Sequence, residues 1–164
     1  MNNKQRPMNE TDKAFERLVV EQKGTIYSVC LMFADCADEA DDLFQEVLIN
    51  LWKGFATFRG ESSARTWVHR AALNTCISFD RKKRRRKSAE LDIEPELLSP
   101  ASATGRQVEM LRERISCLEP FDRAIVLLWL ENMSYDEIGQ IVGISARHVG
   151  VRLVRIREKL KSQK

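Results

Sequence analysis

The stretch from Ser134 to Leu160 limits the fold more than any other part of the chain. Ser134-Tyr135-Asp136-Glu137 has the S-x-x-E form of a capping box. In that arrangement a Ser side chain and a Glu side chain satisfy each other's free backbone N–H groups and start a helix. Ile138, Ile141 and Val142 give this helix an inner face. Gly143-Ile144-Ser145 follows: glycine takes the positive φ of a helix end, Ile144 plugs the core, and Ser145 caps the next helix. Val149, Leu153, Ile156 and Leu160 then form one apolar stripe. The other faces carry Arg147, His148, Arg152, Arg155, Arg157, Lys159 and Lys161 against the single acid Glu158. A short helix, a tight glycine turn and a basic helix form the layout that sets a helix into the DNA major groove. Arginine suits both guanine edges and phosphates. The competing reading is a helical hairpin with a solvated basic face, but cap, turn and charge agree on DNA.

The rest of the chain also reads as helical. Only 7 Gly and 4 Pro occur in 164 residues, and the sequence is rich in good helix formers. Phe15, Leu18, Val19 and Gln22 open one amphipathic pattern that runs on through Ile26, Val29 and Cys30. Asp38 to Phe55 forms a second, with Ala40, Leu43, Phe44, Val47, Leu48, Leu51 and Trp52 three and four apart. A polar loop around 58–63 precedes a third helix from about Ala64 to Arg84. After the Ser/Ala/Pro-containing segment 87–104, helices resume near Arg106 and near Asp122, with a stop at Glu119-Pro120. The expected fold is all-α: two small helical domains, 10–86 and 105–164, joined by a flexible linker over 87–104, the second ending in the helix-turn-helix. Fully stretched, that linker reaches on the order of 60 Å, so the two domains need not touch.

The net charge of +3 conceals blocks of opposite sign. Residues 1–60 carry −3, residues 61–87 carry +7, residues 88–104 carry −4 and residues 105–164 carry +3. Such blocks suggest separate surfaces, one of them for a polyanion. The run Arg81-Lys82-Lys83-Arg84-Arg85-Arg86-Lys87 is weak by itself, since cations also suit a helix C-terminus, but beside a helix-turn-helix it reads as a phosphate track. Ahead of it, Phe58, Trp67 and Asn74 combine aromatic faces and a polar group of the kind that holds unpaired bases. For Trp67 a place in the core is the favoured reading, with base binding as the alternative.

No apolar run approaches the length of a membrane span, and Met1–Asn9 lacks the apolar stretch of a secretory signal, so a cytoplasmic protein without membrane insertion is expected. Cys30, Cys36, Cys76 and Cys117 show no CxxC pairing and read as buried free thiols rather than metal ligands. No carboxylate cluster lies beside a His, and no Gly-rich phosphate loop occurs. Catalytic residues, metal and cofactor are therefore all expected to be absent.

Asp38–Trp52, then Phe58-Arg-Gly-Glu-Ser-Ser63, Thr66-Trp-Val-His-Arg70 and Asn74-Thr75 together resemble the second domain of bacterial sigma factors. Ser134–Leu160 resembles their fourth domain. Without first and third domains, the chain is similar to the compact extracytoplasmic-function (ECF) class. The resemblance implies a transcription initiation factor that binds core RNA polymerase, directs it to promoters and opens the −10 region. Asp42, Gln45, Glu46 and Ile49 would dock on the coiled coil of the β′ subunit. Phe58, Arg59, Ser62, Ser63, Trp67, Arg70, Asn74 and Arg81 would meet the −10 element. Arg147, His148, Val151, Arg152 and Arg155 would face the −35 element, and helices between Arg106 and Glu131 would approach the β flap. Gly150 and Val151 depart from the usual polar pattern, so −35 specificity is expected to differ, with Val151 meeting a thymine methyl. A separate anti-sigma factor is an expected partner. The alternative is a stand-alone helix-turn-helix regulator on duplex operator DNA. The small net charge implies weak binding alone, with polymerase tethering both domains at once.

Overall fold

In a computed structural model, which describes residues 9–89 and 103–162, the first helix is set by a local exchange. The Asn9 side chain accepts the Asp12 N–H at 2.8 Å, and the Asp12 carboxylate accepts the Asn9 N–H at 2.9 Å. This capping box starts α1 (Glu10–Phe33), and α2 (Ala37–Phe55) and α3 (Ala64–Ala89) follow. Each helix contributes an apolar set at helical spacing: Ile26, Val29, Cys30 and Phe33; Ala40, Leu43, Val47 and Leu51; Val68, Ala72, Leu73 and Cys76. All are buried, at roughly 2 kcal/mol for each large side chain removed from water. Ser63 begins α3, its hydroxyl accepting the Thr66 N–H at 3.1 Å. The helix continues past Arg84, where the periodic pattern runs out, because the cations that follow are good helix formers.

The second group comprises α4 (Ala103–Ser116), α5 (Pro120–Leu130), α6 (Tyr135–Val142) and α7 (Ala146–Ser162). Pro120 occupies the first turn of α5, where its missing N–H costs nothing, so this helix begins two residues earlier than its apolar pattern suggests. Ala124, Ile125, Val126, Leu127 and Leu128 are all buried, which makes α5 the centre of the group. The capping box of α6 is present, with the Ser134 N–H donating to Glu137 Oε2 at 2.8 Å. Gly143 ends α6 at φ 81° and ψ 32°, and the Ser145 hydroxyl accepts the His148 N–H at 3.3 Å. The turn is tight: a Cβ on Gly139 would lie 2.4 Å from the Ile144 carbonyl oxygen. Val149, Leu153 and Ile156 of α7 are buried as the stripe requires, with Leu160 partly so.

No strand occurs among the described residues. Most of the linker expected over 87–104 lies outside the described residues; its two ends, 87–89 and 103–104, belong to α3 and α4. The two groups do touch: α3 packs on α5 and α6, and α1 on α4 and α5. The thiols divide, Cys30 and Cys76 being buried side by side and Cys36 and Cys117 exposed, so the expectation of four buried thiols fails for two. The bond to Cys30, with burial, holds the Cys76 thiol protonated far above the usual range.

Candidate nucleic-acid and polymerase interfaces

Six of the eight side chains expected at the −10 element line a single cavity of about 960 Å³: Phe58, Arg59, Ser62, Ser63, Trp67 and Arg70. Gly60 bends the loop at φ 71°, a conformation that favours glycine. Phe58 stacks on Trp67 with ring centroids 4.8 Å apart and an interplanar angle of 29°. The Trp67 ring also rests against Gly54, where a Cβ would come within 3.2 Å. Trp67 is therefore half-buried and serves both readings, as a support for the loop and as a wall of the cavity. Ser63 is occupied with capping α3 and with a bond to Thr66. Asn74 and Arg81 lie further along α3 and line a neighbouring crevice instead.

The basic run is not uniform. Lys83 is drawn back onto the turn between α1 and α2, with Nζ 2.8 Å from both Glu39 carboxylate oxygens and paired with Asp35. Burial pushes its ammonium pKa down, but the bonds to Asp35 and Glu39 outweigh that and hold it above its ordinary value. Arg84 donates from Nε to Asp80 at 2.7 Å. Arg81, Lys82, Arg85 and Arg86 are exposed and make no ion pair among the described residues. The side chain of Lys87 lies outside the described residues.

On α7, Arg147, His148, Val151 and Arg155 form one exposed face, and the three polar side chains make no ion pair among the described residues. Arg152 differs. Its Nη1 donates to Asp122 at 2.6 Å, and its guanidinium lies 4.7 Å over the Phe121 ring centroid, so α5 holds it back from that face. Gly150 also has a structural reason, for a Cβ there would stand 3.3 Å from the Tyr135 ring. On α2, Asp42, Gln45, Glu46 and Ile49 are all exposed, and Trp52 one turn on is 45% exposed. The periodic pattern assigned Trp52 to the core. Its position three residues beyond Ile49, on the outward face, was the signal available to separate it. Glu137 and Gln140 of α6 line the far side of the Phe58–Trp67 cavity. Sequence reasoning missed them because the contact depends on how the two groups pack.

Among the described residues no group of three His, Cys, Asp or Glu side chains could hold a metal ion, and no helix is long and apolar enough to cross a membrane. The family profile described as Sigma-70 region 2 matches residues 18–86, and that described as Sigma-70, region 4 matches residues 108–160. The chain is 30% identical to the ECF RNA polymerase sigma-E factor of Escherichia coli strain K12, covering 92% of this chain and 86% of that one. It is 31% identical to the RNA polymerase sigma factor YlaC of Bacillus subtilis strain 168, covering 76% of each. It is 34% identical to the ECF sigma factor SigG of Mycobacterium tuberculosis over 73% of this chain, but spans only 30% of that longer protein. Its fold is similar to the sigma factor RpoE of Bartonella quintana, solved with the anti-sigma factor NepR, with a TM-score of 0.75 at 21% identity over 92% of this chain and 96% of that one. CnrH, solved with the cytosolic domain of CnrY, gives 0.68 at 20% identity over 92% and 86%.

Proposed function

This chain belongs to the extracytoplasmic-function class of the sigma-70 family, and we propose that it is a transcription initiation factor that brings core RNA polymerase to promoters. Its two modules, 10–86 and 105–164, divide the work. In the first, the exposed stripe Asp42, Gln45, Glu46 and Ile49 on α2, extended by Trp52, takes the β′ coiled coil. The observation that carries the reading is the convergence of Phe58, Arg59, Ser62, Trp67 and Arg70 on one cavity, in the same chain as a capped helix-turn-helix. An unpaired −10 base enters that cavity. Extruding a base costs about a few kcal/mol, and contacts to the captured base offset part of that. Arg81, Lys82 and Arg85 follow the phosphates beyond it, with Asn74 beside them.

In the second module, Arg147, His148, Val151 and Arg155 read the −35 duplex, while Arg152 chiefly fixes α7 on α5. The β flap approaches α4 and α5. The protein itself performs no chemistry; catalysis resides in the polymerase. A separate anti-sigma factor covers these faces when the protein is silent, and the likeness in fold to a sigma factor solved with an anti-sigma factor supports that role. The stand-alone regulator is the weaker account, because sigma-factor likeness extends over both modules. Permanganate footprinting on genomic promoters tests the reading. Thymines near −10 become reactive only with protein and core polymerase together, and Arg59→Ala/Ser62→Ala lowers that reactivity while polymerase binding persists. Unchanged reactivity in the variant contradicts the cavity's role.

A further inference from the structure

The outward side of α7 is not uniformly charged. Val149, Leu153 and Ile156 are buried at spacings of four and three residues. Arg147, Val151 and Val154 repeat those spacings two residues earlier, which sets them about 200° away, on the opposite side of the helix. That line faces away from the core, yet two of its three side chains are aliphatic: Val151 is 44% exposed and Val154 60%. Glu158 continues the line one turn further and pairs with Lys161 at 3.3 Å. A carboxylate there repels phosphate, so the part of the line suited to DNA ends before it.

Tyr135, the first residue of α6, widens the apolar patch. Its ring lies 3.3 Å from the point where a Gly150 Cβ would stand, and Gly150 is one turn before Val154. The ring is 43% exposed. Single exposed valines are ordinary, but two valines and a tyrosine share one stretch of an otherwise basic surface here. The charge around them selects DNA over a protein partner, since Arg147, His148 and Arg155 flank the valines and make no ion pair among the described residues. On the major-groove edges of base pairs the apolar group is the C5-methyl of thymine.

We propose that Val151 and Val154 read two thymine methyls on neighbouring base pairs of the −35 element, with Tyr135 closing one side of the contact. The proposal rests on the initiation-factor reading and names what the recognition face selects. From Val151 to Val154 the helix rises about 4.5 Å, between one and two base-pair steps of roughly 3.4 Å. At a G·C pair the same valine would leave the cytosine amino donor facing a methyl group and unpaired. Arg147, one turn before Val151, suits a guanine beside the two A·T pairs.

Holoenzyme assembled from the purified protein and core polymerase first selects −35 elements from randomised duplex. Selected thymines are then replaced one at a time by uracil, which keeps the base pair and removes only the methyl. Two neighbouring positions are each expected to lose about fourfold in affinity. In Val154→Ala one of these losses disappears, and in Val151→Ala the other, with helicity unchanged because both side chains are exposed. Selected elements without neighbouring A·T pairs overturn the proposal, as does uracil tolerated at every position. So does a Val154→Ala defect of equal size on thymine and uracil templates, which marks the patch as a protein contact. If core polymerase never joins the protein, the initiation-factor reading fails instead, and the same uracil series on duplex selected by the protein alone decides the role of the valines.

Discussion

Lys83 and Arg81 are two positions apart in a run of like charges, yet their surroundings give them different work. Lys83 closes the turn between α1 and α2 through Asp35 and Glu39, whereas Arg81 faces solvent. Every cation that neutralises a phosphate adds about one to the slope of log affinity against log salt. Arg81→Ala and Arg85→Ala in the polymerase-bound protein are therefore expected to reduce that slope by about one each. Lys83→Ala is expected to leave the slope unchanged and to lower stability by about 1 kcal/mol, read from chemical denaturation. Sequence alone could not separate these residues, because every member of the run offers the same charge and only the partners from α1 and α2 distinguish them. Gly139 is the opposite case, fixed by backbone proximity: Gly139→Ala forces its Cβ into Ile144 O and is expected to cost about 1–3 kcal/mol.

At the scale of elements, the helix-turn-helix was the most legible part of the molecule, because its start and stop signals are local. Ser134, Glu137, Gly143 and Ser145 act within four residues of their partners, and each does what its type predicts. Helix ends set by less specific signals were harder to place, as with α3 beyond Arg84 and α5 before Asp122. The capping box also carries a pH dependence. Hydrogen bonds from the Ser134 backbone N–H, then from its hydroxyl, hold the exposed Glu137 carboxyl below its ordinary value. A depressed carboxyl stabilises the fold above its unfolded pKa, and that contribution disappears as pH falls through the folded value. Ser134→Ala is expected to cost about 1 kcal/mol at neutral pH. Glu137→Gln is expected to flatten the acid limb of thermal stability, measured by circular dichroism from pH 7 to pH 3; an unchanged acid limb contradicts the assignment.

At the scale of the whole molecule, what the sequence concealed is the contact between modules. His69, Arg112 and Arg123 find partners 62, 78 and 91 residues away, and no periodicity or motif reports such pairings. The two runs of helices, α1–α3 and α4–α7, were legible because each carries its own apolar pattern. The face expected to meet polymerase was legible only through resemblance, since an exposed Asp42 or Gln45 leaves no mark in a hydrophobic pattern, whereas the capped basic helix pointed to DNA by itself. The initiation-factor reading stands or falls on one association: co-migration of the purified protein with bacterial core RNA polymerase on a sizing column, beside Gln45→Ala/Glu46→Lys. These side chains are exposed, so the variant is expected to keep the wild-type melting temperature. The wild type is expected to elute with polymerase and the variant to elute alone. A folded wild type that never enters the polymerase peak would contradict that reading.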